Sequence, residues 1–450
     1  MDGSARDYWQ LRFEADGSVA AGADSMQSLV DQIKASGTQD LFVMSHGWGN
    51  SEAMADQLYD GMFALLHSSP GVPSSARFLG VYWPSLWFPD PPAEGVRELA
   101  RIPDAAPPPP GQADAAVSGK AIAKSLGDGF GKADRADLKR MGALVDAGIK
   151  GVEKGESQAV QQERLDEFHA LLGKVFATTP AGDATTAEDS GEAVLFTTDD
   201  PKAAYGKLST VMGSAPPESD TQGIGDFFGK VWNGAKDALR VGSYFQMKGR
   251  AGDIGRSGLA SFLVALQTGA PGVRVHLIGH SFGARLVAFS LAGIGSPEQS
   301  PVASLTLVQG AFSHWSFSDG SSDLGIQGAL SGFQNRVKGP LCATFTTADW
   351  AVGNWYPKAS FLAQQDNQDS EDASRWGAMG ADGYQGVTAH QVSLPLTGQE
   401  TFVVGEFHRA DANFVINDTS QSSFAGAHSD IQKPEVAALI VAAARAGGGN

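Results

Sequence analysis

Within VHLIGHSFGARLVAFSLAG, residues Gly279, Ser281 and Gly283 satisfy a G-x-S-x-G spacing between an apolar run at 273–278 and an apolar helical stretch from 282 to about 292. The chemistry this arrangement serves is nucleophilic attack by a serine hydroxyl. A chain that turns sharply from strand to helix at the serine holds its hydroxyl clear of the sheet. A glycine two positions to either side lets strand and helix approach where a side chain would collide. The start of a helix also favours the negative charge that develops as such a serine reacts. Ser281 is therefore the candidate nucleophile.

A serine hydroxyl is a weak nucleophile until a histidine takes its proton, and that histidine needs a carboxylate to fix its tautomer and stabilise the imidazolium. Around an elbow of this kind the partners follow in the order serine, acid, histidine. The histidines beyond the elbow helix are His314, His390, His408 and His428. His428, in the loop SSFAGAHSDI between the last apolar run and the closing helix, is the expected base, with His408 next in order. Asp349 ends LCATFTTAD, a strand that runs into a loop, and is the expected acid; Asp319 and Asp323 are alternatives. His276 and His280 belong to the elbow's strand and turn and are expected to be structural.

Acyl transfer also needs N–H donors for the oxygen of the tetrahedral intermediate. LFVMSHGWG ends an early strand in His46-Gly47, so the Trp48 N–H, together with the Phe282 N–H that follows the nucleophile, forms the expected oxyanion hole. His46, Gly47, Trp83 and His314 are the expected substrate contacts, and Trp87 and Phe88 follow Trp83 as candidates for an acyl pocket.

Elements in the right order must carry these residues. A helix near 25–36 precedes the strand at 41–44. Another helix opens at Asn50 or Ser51 and places Met54, Leu58, Met62 and Leu65 on one face, and 78–83 reads as a short buried strand. After Phe88 the texture changes. The chain is proline-rich at 103–110, helical at about 137–177, and acidic and low in complexity at 178–223. The following stretch GIGDFFGKVWNGAKDALRVG sets Phe227, Val231, Ala235 and Leu239 on one helical face, with Phe228 and Trp232 beside it. This helix either shields an acyl chain as a lid or packs on the core. Alternation resumes with a helix at 258–268, the elbow, and apolar runs at 304–308, 341–347, 401–407 and 413–416. The chain closes with a helix opened by Pro434 and stopped by Gly447. Short apolar runs between helices indicate an α/β fold with a mostly parallel central sheet covered on both faces. The expected organisation is a first part of the core at 1–88, a large helical and low-complexity insertion at 89–240, and a second part of the core at 241–450.

The 450 residues carry a formal net charge of −17, which repels phosphate backbones and anionic lipid headgroups, so nucleic acid is not an expected partner. The single cysteine, Cys342, lies in an apolar run and reads as a buried free thiol. The start MDGSARDYWQLRFEADG lacks the basic region and apolar core of a signal peptide, and no run is long enough to span a membrane. A cytoplasmic location without an integral membrane segment is the expectation. The acidic run QQDNQDSEDAS lacks the central glycine and closing glutamate of a calcium loop and reads as a solvated loop.

Together these residues resemble the α/β-hydrolase superfamily, and within it the esterase- and lipase-like members with a GHSxG elbow. The resemblance covers 41–83 and 245–440, and the order HGW, a strand ending in Trp83-Pro84-Ser85, then GHSFG is similar to a group of bacterial hydrolases. It implies a serine-dependent acyl-enzyme mechanism with no metal or organic cofactor, acting on a small-molecule or lipid-like acyl ester. A peptidase, amidase or acyltransferase would use the same triad. A non-catalytic binding protein on this fold is the alternative from a different class, and the insertion departs from compact members of the superfamily.

Overall fold

A computed structural model describes residues 7–48, 51–85, 118–127, 130, 132–177, 194–212, 224–355, 377–421 and 425–448. At its centre lie eight strands: β1 (Trp9–Arg12), β2 (Asp40–Ser45), β3 (Arg77–Tyr82), β4 (Arg274–His280), β5 (Val302–Val308), β6 (Leu341–Phe345), β7 (Ala389–Ser393) and β8 (Phe407–Asp411). They form one sheet in the order β1-β3-β2-β4-β5-β6-β8-β7. Every pairing is parallel, so all carboxyl ends share one edge.

Both faces of the sheet are covered, which is why its central strands read as unbroken apolar runs. Side chains alternate across a strand. Leu41 and Val43 of β2 therefore join the core under the helices Met26–Ala35, Ala260–Gly269 and Phe282–Gly293. Phe42 and Met44 face the opposite core, built with the helices Glu52–Ser68 and Pro434–Gly447. The local signals act as expected at several ends. The Ser25 and Ser51 side chains cap their helices by accepting from the Ser28 and Met54 N–H groups, and Pro434 opens the last helix. Cys342 is a free thiol in the second core, where burial pushes its pKa far up.

Several expectations change. β1 and β7 form the two sheet edges and have no continuous apolar run to announce them. β7 reads Ala-His-Gln-Val-Ser and buries only Val392, so His390 lies in an edge strand. The run at 401–407 contributes its last residue alone to β8, and 413–416 forms no strand. The helical stretch expected at 137–177 is two helices, Lys132–Glu153 and Gln158–Leu172, interrupted where Gly155 takes a positive φ of 68°. The expected boundary at residue 240 falls inside one helix, Ile224–Ile254. That helix continues through a π-turn (Gly255–Leu259) into Ala260–Gly269.

The aromatic face of that long helix resolves into two parts. Phe228 and Trp232 are buried, and the Trp232 indole N–H donates to Gln161 Oε1 at 2.7 Å. Trp232 also packs edge-on against Phe168, and a Cβ on Gly148 would overlap its ring. These two aromatics fill the core between insertion helices. Phe227, expected on the buried face, is 49% exposed. Among the described residues no helix is long and apolar enough to cross a membrane. The proline-rich stretch, Trp87, Phe88 and the acidic run QQDNQDSEDAS lie outside the described residues.

Candidate active site

β4 ends at His280 and the next helix begins at Phe282, so the whole turn is made at Ser281. Its φ of 57° and ψ of −124° are costly for a residue with a Cβ, and among the described residues only Gln309 shares a positive φ without being glycine. The turn is held from both sides. Ser281 N–H donates to Val308 O at 3.2 Å, and Ala284 and Ala311 donate to Ser281 O at 3.1 Å. The flanking glycines are required by contact. A Cβ on Gly279 would overlap the backbone of Ala284, and one on Gly283 would overlap the carbonyls of Ser45 and His46. The elbow helix can thus approach the end of β2, which pairs directly with β4.

The serine meets its partners across long sequence separations. His428 Nε2 lies 2.8 Å from Ser281 Oγ, and His428 Nδ1 lies 2.7 Å from Asp349 Oδ2. In the neutral tautomer that fits both contacts, Nδ1–H donates to the carboxylate and Nε2 accepts from the hydroxyl. Asp349 and His428 are brought together by a short antiparallel bridge between Asp349 and Gly426, with Ala427 N–H donating to Ala348 O at 2.9 Å and Trp350 N–H to Ala425 O at 3.1 Å. Gly426 takes a φ of 59°, which lets the loop turn there and carry His428 over the sheet's carboxyl edge. Asp349 Oδ1 accepts from the Val352 N–H at 3.2 Å. Ser281 is 5% exposed and Asp349 1%, so this chain of hydrogen bonds lies in a nearly closed site.

On the other side of Ser281 stands the loop after β2. A Cβ on Gly47 would come within 2.6 Å of Ser281 Cβ, so only glycine permits this approach. The Trp48 ring packs against Phe282 and Tyr244, with ring centres 6.0 and 5.9 Å away. His46 and Trp83, expected to contact substrate, are committed to shaping this loop. Their rings stack 5.5 Å apart, the Trp83 indole donates to His46 O at 3.0 Å, and His46 Nδ1–H donates to Gly47 O at 2.9 Å. Beneath them the Tyr59 hydroxyl accepts from His46 N–H and donates to Val81 O. A Cβ on Gly80 would overlap the Tyr59 ring, so β3 leaves room for it.

The remaining expected residues stand apart from this chain of hydrogen bonds. His314 is buried after β5 with Nδ1 2.7 Å from Asp382 Oδ1. His390 pairs with Glu406, and His408 accepts from Val403 N–H; both lie near the starts of their strands, away from the carboxyl edge. Asp319 and Asp323 are exposed in the loop after β5, and Asp319 accepts from the Ser321 N–H in a surface turn.

The same residue types also meet near the other ends of the strands. His276 Nδ1 is 2.9 Å from Ser304 Oγ, and its Nε2 is 3.1 Å from Asp40 Oδ1, which is itself paired with Arg274. There the serine sits within β5, paired with His276 just past a register shift between Val275 and His276, and has no turn to present its hydroxyl. Residue types alone do not distinguish the two groups. The strained elbow does.

His280 and His46 are buried neutral rings. Burial, reinforced by the neighbouring His428, lowers His280 to about 3, while its Nε2–H donates to His428 O at 2.9 Å. Burial likewise lowers His46 to about 4. Both rings would take up a proton near pH 6.5 in the unfolded chain. Their contribution to stability is therefore complete above pH 6.5 and is lost progressively as the pH falls through about 4, because the unfolded state binds more protons over that window. The urea midpoint should fall between pH 7 and 4, and His46→Gln or His280→Gln should flatten the slope. Variants that retain the full slope would contradict this assignment.

Sequence inspection missed Tyr59, Tyr244 and Gln309. No local motif marks them, since each acts through a contact with a distant part of the chain. Comparison with protein-family models, curated proteins and solved structures finds no match to the chain.

Proposed function

We propose that the chain is a serine hydrolase with the α/β-hydrolase fold, cleaving carboxylic esters of small-molecule or lipid-like acyl substrates through an acyl-enzyme on Ser281. The observation that carries this reading is the continuous hydrogen-bonded series Ser281, His428, Asp349 on a strained turn at a helix N-terminus.

In the proposed reaction Ser281 Oγ attacks the ester carbonyl carbon as its proton passes to His428 Nε2. The carbonyl oxygen takes up the negative charge and is met by the N–H groups of Phe282 and Trp48. Collapse of the intermediate breaks the bond to the alcohol oxygen, which receives the proton from His428, leaving the acyl group on Ser281. Water then attacks the acyl carbon with His428 as base, and the acid is released. Asp349 stabilises the imidazolium in both halves.

A fluorophosphonate probe tests the reading, with peptide mapping of the adduct and a panel of esters and matched amides. Labelling at Ser281 with turnover of esters is the expected result. Amide turnover at comparable rates would move the assignment to a peptidase or amidase. A folded protein that is neither labelled nor active on any acyl substrate would overturn it in favour of a binding protein.

A further inference from the structure

Gln309 is fully buried at the end of β5 and holds a φ of 48°, a conformation that strains any residue with a Cβ and usually falls to glycine. Ser281, at the end of the neighbouring β4, is the other non-glycine residue with positive φ among the described residues. A side chain kept at such a position, when glycine would fit the backbone without strain, points to work done by the side chain.

The hydrogen bonds show what that work is. The amide is satisfied with its nitrogen toward Gly380 O at 2.8 Å and Asp349 Oδ2 at 3.0 Å, and its oxygen toward the Thr344 hydroxyl at 3.1 Å. The reverse orientation would set the amide oxygen against two acceptors. Thr344 completes the clamp by accepting from the Gln309 N–H at 3.0 Å, so its hydroxyl has one acceptor role and one donor role on the same residue. Asp349 Oδ2 is the oxygen that receives the His428 Nδ1–H.

We propose that Gln309 is a positioning residue for the reaction assigned above. Its amide, held by Thr344 and Gly380, donates to Asp349 Oδ2 and fixes that oxygen toward His428. An amide suits this place because it brings a donor without a charge. A lysine or arginine there would neutralise the carboxylate that must face the imidazolium, and a second carboxylate would repel it. Among the described residues, His428 meets Asp349 at Nδ1, Ser281 at Nε2 and the neutral His280 ring 4.9 Å away. The inference rests on the hydrolase reading for its chemical meaning, but its geometry is independent of turnover.

Two variants test it. Gln309→Met keeps the side-chain length without the donor, and Gln309→Gly removes the amide while relieving the backbone. Both are expected to slow fluorophosphonate labelling of Ser281 about 10- to 100-fold and to shift the NMR resonance of the His428 Nδ1–H, which reports its hydrogen bond to Asp349 Oδ2. If Gln309→Met fails to fold, Gln309→Gly carries the test, since its backbone is the less strained. Wild-type labelling rates and an unmoved His428 Nδ1–H resonance in the folded variants would overturn the role of Gln309. Failure of the wild-type protein to label would instead count against the hydrolase reading, and the His428 Nδ1–H resonance would still decide the role of Gln309.

Discussion

Ser281→Ala is expected to lower kcat on an ester substrate by about 10⁵-fold or more and to abolish fluorophosphonate labelling, with little change in folding. The catalytic loss is large because the hydroxyl proposed to form the acyl-enzyme is gone. What remains is His428 acting on water beside the oxyanion donors. The stability change is small because alanine keeps the Cβ and the same strained φ of 57°, and among the described residues the hydroxyl's partner in the site is His428 Nε2. A companion Ser281→Gly variant separates strain from chemistry. Release of about 1–3 kcal/mol of backbone strain, offset by about 1 kcal/mol from the freedom of glycine in the unfolded chain, should leave it melting at or above the wild-type temperature while equally inactive. Activity within tenfold of wild type in Ser281→Ala would refute Ser281 as nucleophile. A Ser281→Gly protein that melts well below Ser281→Ala would refute the strain.

The second large effect is expected from Asp349→Asn, with kcat lowered on the order of 10⁴-fold. Asparagine preserves the shape but no longer supplies the negative charge that stabilises the imidazolium. Its two orientations are both imperfect. With the amide oxygen at the Oδ2 position, His428 and Gln309 are satisfied, but the amide nitrogen faces the Val352 N–H. With the amide reversed, the nitrogen faces both the His428 and Gln309 donors, and His428 must adopt the tautomer that cannot accept the serine proton. Measured kcat and KM should divide cleanly, with kcat carrying nearly all the loss, because Asp349 is almost fully buried behind His428. A loss carried mainly by KM would place Asp349 in substrate binding instead.

Much of the central layer was legible because neighbours in sequence encode it. The apolar runs that became β2 and β4 to β6 are inner strands, buried on both faces, and the serine caps and Pro434 act within a few residues of themselves. The outer strands β1 and β7 were not legible, since an edge strand shares its surface with water and need not be apolar. Nor was the continuity from Ile224 through the π-turn to Gly269, where Gly255 and Gly258 suggest a break. Gly255 is instead pressed against the elbow helix, where a Cβ would overlap Leu286 O, so the glycine serves close helix packing.

By itself the sequence determined the elbow and the short set of residues able to serve it, because strand, tight turn and helix are written in one continuous stretch, Arg274 to Gly293, with glycines where a Cβ would collide. Tertiary structure alone decided the rest. It set His428 and Asp349, 147 and 68 residues beyond Ser281, within hydrogen-bonding distance of the series, and left the buried group Ser304, His276 and Asp40 without a turn to expose its hydroxyl. It also placed Gly47 against Ser281 by pairing β2 with β4, and bent the end of β5 so that Gln309 reaches Asp349. The physical reason is that periodicity and capping act over a few residues. Which distant strands become neighbours depends on the packing of the whole sheet and its covering helices.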